Sequence, residues 1–135
     1  MNARRVFLAA LFLAAACDPV HDYYETLDEA RADALFERGW LPDILPPSAR
    51  EILVKNNPDL NTSEGQFLFD PSEFESFLDR LSPLSEPTET RLGGVRAIVE
   101  SHIGDGYPAY WHRESDREWV FLCIRERGVC LYYMT

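Results

Sequence analysis

Asp59, Asn61, Ser63 and Asp70 stand at the first, third, fifth and twelfth places of a calcium-loop spacing. Ca2+ takes oxygen ligands at such intervals. The template also wants glycine at its sixth place and a bidentate glutamate at its twelfth, where this chain has Glu64 and Asp70. The commoner arrangement for such residues is an Asx-rich turn in which Asp59 and Asn61 bond their own backbone, so no metal and no cofactor is expected. His21, His102 and His112 are not spaced with another His or Cys as a transition-metal pair. No serine lies in a G-x-S-x-G elbow, and Gly104-Asp105-Gly106 reads as a turn rather than a phosphate cradle. The chain is not expected to be an enzyme.

The cysteines carry more specific chemistry. If a hairpin turns about Glu126 and Arg127, residues 124 and 129 and then Cys123 and Cys130 face each other. Cross-strand Cα separations of about 4.5 to 5.5 Å suit a disulfide. Cys17 closes the run MNARRVFLAALFLAAAC, in which Arg4 and Arg5 precede an apolar stretch from Val6 to Ala16. That is the pattern of an export signal. An apolar run of about 11 residues makes roughly 17 Å of helix, short of the roughly 30 Å hydrocarbon core of a bilayer. Leu13-Ala14-Ala15-Ala16-Cys17 resembles the lipobox of bacterial lipoproteins, with Ala14 where that motif prefers leucine. The resemblance implies lipidation at Cys17, attachment to the bacterial cell envelope, and an oxidising compartment in which Cys123 and Cys130 pair. Asp18 resembles an inner-membrane retention signal, and the choice of membrane stays open.

Hydrophobic residues make up 46% of the 135-residue chain and charged residues 27%, which suits one globular domain. The formal charge of -10 excludes nucleic acid as a partner, because phosphate backbones need basic patches. Loss of residues 1–16 removes Arg4 and Arg5, leaving 11 basic against 23 acidic residues and a formal charge of -12. An anionic leaflet repels such a body, so lipid rather than charge must hold it to the membrane.

Three segments are expected: a signal peptide over 1–16, a tether over 17–25 that docks through Tyr23 and Tyr24, and a single α+β domain over 26–135. Thr26 and Glu29 form a capping box for a helix over 27–38, which Gly39 ends. Ile52–Lys55 and Gln66–Phe69 read as strands around a turn-rich segment. Asp70 caps a second helix with Pro71 at its first position and Phe74, Phe77, Leu78 and Leu81 on its buried stripe. Residues 82–90 read as a loop, and 91–103 suit helix and strand equally. Tyr107–His112, Glu118–Arg125 and Val129–Met134 give a C-terminal β-meander, its middle strand buried on both faces. The fold class is α+β: a mixed or antiparallel sheet with two to three helices packed on it.

Gly39-Trp40-Leu41-Pro42, then Leu45-Pro46-Pro47-Ser48-Ala49 with Ile52, then Asp59-Leu60-Asn61-Thr62, resemble small uncharacterised bacterial lipoproteins of the YbbD type over about a third of the mature chain. Ser63 stands where that pattern tends to have asparagine, and Lys55-Asn56-Asn57-Pro58 where it often carries histidine. The resemblance implies a lipoprotein and supplies no mechanism. The function expected is an exported, lipid-anchored envelope module that binds a protein partner or serves a structural role. The alternatives are a small periplasmic hydrolase built around His112 or His102, and an immunity-type inhibitor of a basic partner.

Overall fold

Alternating side chains put the middle of this chain into strands, and the strands join into one sheet. The computed structural model describes residues 20–85 and 93–135. The signal peptide, Cys17 and part of the expected surface loop lie outside the described residues. In chain order the elements are β1 (Val20–Thr26), α1 (Leu27–Ala32), β2 (Arg50–Asn57), β3 (Thr62–Leu68), α2 (Phe74–Leu78), β4 (Ser82–Leu84), α3 (Arg96–Gly104), β5 (Ala109–Glu114), β6 (Arg117–Ile124) and β7 (Val129–Met134). The sheet runs β1-β2-β3-β7-β6-β5-β4, and every pairing is antiparallel. The domain is single, mostly sheet, with short helices.

Three expectations need correction. The tether ends earlier than read: from Val20 the chain is already a strand, with Asp22 and Tyr24 opposite Val54 and Ile52. Its polar residues hide the period, yet Tyr24 is 7% exposed and Tyr23 is 55% exposed, the alternation of an edge strand. The first helix stops at Ala32 because Ala34 takes φ 56°, a left-handed value. Thr26 still caps it, accepting from Glu29 N–H at 3.2 Å, while the Glu29 carboxylate accepts from Glu25 N–H at 2.8 Å. The second helix is a 3₁₀ turn over Pro71–Glu73 followed by α2, and Asp70 makes no side-chain cap. Its carboxylate instead pairs with Arg50 at 3.2 Å. The ambiguous segment resolves as helix α3, entered through a 3₁₀ turn at Gly93–Val95.

One sheet face is packed along its length. Ile52, Val54, Phe67, Phe121, Tyr132 and Met134 meet α1, α2 and the connector between α1 and β2. The connector is pinned at both ends. Gly39 takes φ 77°, and the Arg117 guanidinium lies where a Cβ would stand. Trp119 Nε1–H then donates to the Trp40 carbonyl at 3.0 Å. At the other end Ser48 donates through its hydroxyl and its N–H to Glu73, and the hydroxyl accepts from Asp70 N–H at 2.8 Å.

The β6–β7 turn is longer than a two-residue hairpin, with a 3₁₀ turn over Arg125–Arg127 and Gly128 at φ 59°. It keeps Ile124 opposite Val129 and Cys123 opposite Cys130, with the Cα atoms 4.0 Å apart and the sulfurs bonded. The bridge sits in the packed core, both cysteines being buried.

Candidate functional site

The other sheet face is covered over only part of its width. Val99 of α3 packs on Leu84, Ala109, Val120 and Leu122 of β4, β5 and β6. A helix is about 10 Å across and strands lie about 4.8 Å apart, so one helix shields roughly two strands of seven. The outer faces of β1, β2 and β3 are left open among the described residues, while on β7 Tyr133 packs against the α3 cluster and Leu131 stands half-exposed beside it.

Strand register then lays side chains in rows across this open face. Tyr23 stands opposite Leu53, Leu53 opposite Gln66, and Gln66 opposite Leu131. Tyr23, Leu53 and Leu131 are 55%, 39% and 38% exposed, and Ile98 at the rim of α3 is 42% exposed. A groove of about 400 Å³ continues the row, lined by Ile98, His102, Leu122 and Leu131 among others. The next row is polar: His21 opposite Lys55, and Lys55 opposite Glu64, to which it pairs at 3.2 Å. Desolvation and then the charges of Glu51, Glu25 and Glu29 push the Tyr23 phenol up. Desolvation and Glu64 do the same for Tyr133. An apolar row is therefore bordered by carboxylates.

The residues singled out from the sequence are dispersed. Asp59 and Asn61 lie exposed at the β2–β3 tip, Ser63 is buried, and Asp70 lies beyond the opposite end of β3. Seven residues from Ser63 to Asp70 span about 23 Å of strand, so the four oxygens do not meet around one cation. Among the described residues no group of three or more His, Cys, Asp and Glu could hold a metal ion. Ser63 serves the core instead: its hydroxyl donates to Asn56 Oδ1 at 2.8 Å and lies 3.0 Å from the Tyr132 hydroxyl.

His102 and His112 fall on opposite sides of the sheet. His102 lies on α3 with Nε2 3.2 Å from the Pro108 carbonyl, and burial pushes its pKa down. His112 packs against Trp119 on β6 with ring centroids 5.9 Å apart, its Nε2 3.9 Å from Glu114. Leu53, Ile98 and Leu131 were not singled out from the sequence. For Leu53 and Leu131 the signal is apolar residues on both faces of a strand, as in Ile52-Leu53-Val54 and Val129 to Met134.

At the far end of β1 a cleft of about 620 Å³ lies between α1 and the connector, lined by Leu27, Arg31, Leu45, Ser48, Arg50 and Arg80 among others. Arg31 and Arg50 are already paired there, with Asp43 at 3.1 Å and Asp70 at 3.2 Å.

These features define a class: a small antiparallel sheet domain with one packed face and one half-open face. Residues 18–68 match the family described as the YbbD head domain, so over that stretch the chain is similar to that family. No curated protein and no solved structure matches it. Inside the matched stretch, Gly39-Trp40-Leu41-Pro42 and Leu45-Pro46-Pro47-Ser48-Ala49 form the connector that closes the packed face, and Asp59-Leu60-Asn61-Thr62 form the hairpin tip.

Proposed function

We propose that the chain is an exported envelope protein, lipid-anchored through Cys17, whose domain docks a protein partner on the open sheet face and performs no chemistry of its own. The observation that carries this reading is the clustering of apolar exposure. Of the five exposed large apolar residues described, Tyr23, Leu53, Ile98 and Leu131 share this one surface. Contiguous apolar surface bordered by polar groups is the composition of a protein interface. The partner fitting it presents an apolar patch with basic groups around it, since Glu25, Glu29 and Glu51 surround Tyr23 and the whole chain carries -10. An acidic body also speeds encounter with a basic partner. That charge equally suits an immunity-type inhibitor, one case of the same docking.

The test places a photo-crosslinking side chain at Leu53, at Leu131, and at Ser76 on α2 as a control, in cells expressing the full chain. Expected is one discrete adduct from positions 53 and 131, none from 76, and loss of the adduct from position 53 when Leu131→Asp is added. Equal labelling from all three positions would defeat the docking reading. Cys17→Ala should release the protein into a soluble fraction or stall its processing; normal processing with continued membrane attachment would defeat the anchor.

A further inference from the structure

Leu60 is the fifth exposed apolar residue, and at 70% it is the most exposed of them. It lies away from the open face, at the tip of the β2–β3 hairpin. The turn presenting it is built by its neighbours: Asn57 Oδ1 accepts from Leu60 N–H at 3.2 Å, Asn61 N–H donates to the Pro58 carbonyl at 3.3 Å, and Asn61 takes φ 51°. None of these bonds needs an apolar side chain at position 60.

The placement of the tip supplies a reason. Val20 pairs with Asn56, so the chain enters β1 beside the last residues of β2, one strand away from the tip. Asn57 still pairs with Thr62, and Leu60 lies in the turn beyond them. Two to three residues of further reach place it about 7 to 10 Å past Val20. The three peptide steps from Val20 back to Cys17 span at most about 11 Å. A lipid on Cys17 is therefore within reach of the plane in which the side chain of Leu60 stands.

We propose that the hairpin tip is a second membrane contact, with Leu60 entering the interface between headgroups and acyl chains beside the lipid anchor. This rests on the anchoring of Cys17 proposed above. The residues around Leu60 suit headgroup depth, because Asn57, Asn61 and Thr62 are neutral hydrogen-bonding groups and Asp59 brings a single charge. Interfacial apolar groups of this kind reach about 5 to 10 Å into the boundary region. Two contacts one strand apart hold the strands upright on the membrane, whereas a lipid alone leaves the domain free to tumble. The open face then stands across the membrane plane, toward neighbours anchored in the same leaflet.

The experiment uses the full lipidated chain, purified from bacterial membranes and reconstituted into phosphatidylethanolamine–phosphatidylglycerol vesicles with or without brominated acyl chains. The variants are Leu60→Trp and, as a control on the open face, Leu131→Trp. Expected is a blue-shifted added emission from Leu60→Trp, roughly halved in intensity by brominated lipid as befits a residue at interfacial depth, with no such change for Leu131→Trp. Flotation of the protein with vesicles but unquenched emission at position 60 would overturn the contact alone. Failure of the parent protein to float would overturn the anchor and the contact with it.

Discussion

The buried hydroxyl relay of Ser63 offers the sharpest energetic test of the packed face. Asn56, Ser63 and Tyr132 are 2%, 3% and 0% exposed. The Ser63 hydroxyl donates to Asn56 Oδ1, and the Tyr132 hydroxyl donates to Ser63 Oγ in turn. Ser63→Ala strips the bond from both partners while leaving both buried. Each orphaned group costs about 1 to 3 kcal/mol, so this variant, which orphans two, should lose about 2 to 6 kcal/mol. Tyr132→Phe removes one hydroxyl, leaves the Ser63–Asn56 bond intact, and should lose about 1 kcal/mol. The double variant has only Asn56 left short of its bond. It should therefore be no less stable than Ser63→Ala, a coupling of at least about 1 kcal/mol between neighbours. Urea unfolding of the purified protein reads all four corners, provided the slope m stays constant. Losses that simply add would show that the two hydroxyls do not share a proton chain.

Gly65→Ala should cost about 2 to 4 kcal/mol, because its Cβ would stand 1.9 Å from the Leu53 carbonyl and 2.9 Å from the Tyr132 ring. Gly104→Ala, with nothing within 4 Å, should leave Tm nearly unchanged, and equal effects would contradict the packing described. Alkali should destabilise the fold from about pH 10 upward. Burial, followed by the hydrogen bond to Asp33 and the charge of Asp22, pushes Tyr24 up to about 12, and burial also raises Tyr132. Both phenols keep their protons in the folded state while unfolded tyrosines ionise, so their stabilisation is complete below about pH 10 and is lost as pH rises, by about 1.4 kcal/mol per unit per group. Tyr24→Phe should flatten that slope; an unchanged slope would remove Tyr24 from the account. Reducing the Cys123–Cys130 bridge, which closes a loop across a separation of seven, should cost about 2 to 2.5 kcal/mol and leave the domain folded. Alkylation of both cysteines without prior reduction would show that the bond is not formed in the protein.

The strand pattern of the C-terminal third was legible because three apolar runs are divided by polar turns, and the register through Ile124 and Val129 survives a turn longer than the two-residue one expected. Residues 20–25 were not legible as a strand. An edge strand has only one neighbour to impose its period, and His21, Asp22 and Glu25 blur it. The end of α1 escaped notice because the left-handed turn falls on Ala34, a strong helix former that gives no warning. The open face was invisible for a more general reason. Apolar residues on both faces of a strand show that each face could be covered, while coverage itself depends on where a distant helix lands. Here α3, nine residues long, packs on β4 to β6 and its cluster ends at Tyr133 on β7.

The two rims of the sheet bear on how the protein would stay dispersed when held at a membrane surface as proposed. Anchored molecules share a plane, where collisions between bare strands recur far more often than in bulk and can grow into ribbons. At one rim β1 turns the Asp22 carboxylate toward the packed side, opposite Val54, so an added strand would have to bury that charge. At the other rim β4 is three residues long and has Pro83 at its centre, which withholds a donor. With the anchoring proposed above, crowding on the leaflet would thereby be steered away from end-to-end polymerisation, and lateral encounters that persist would use side-chain surface rather than main-chain pairing.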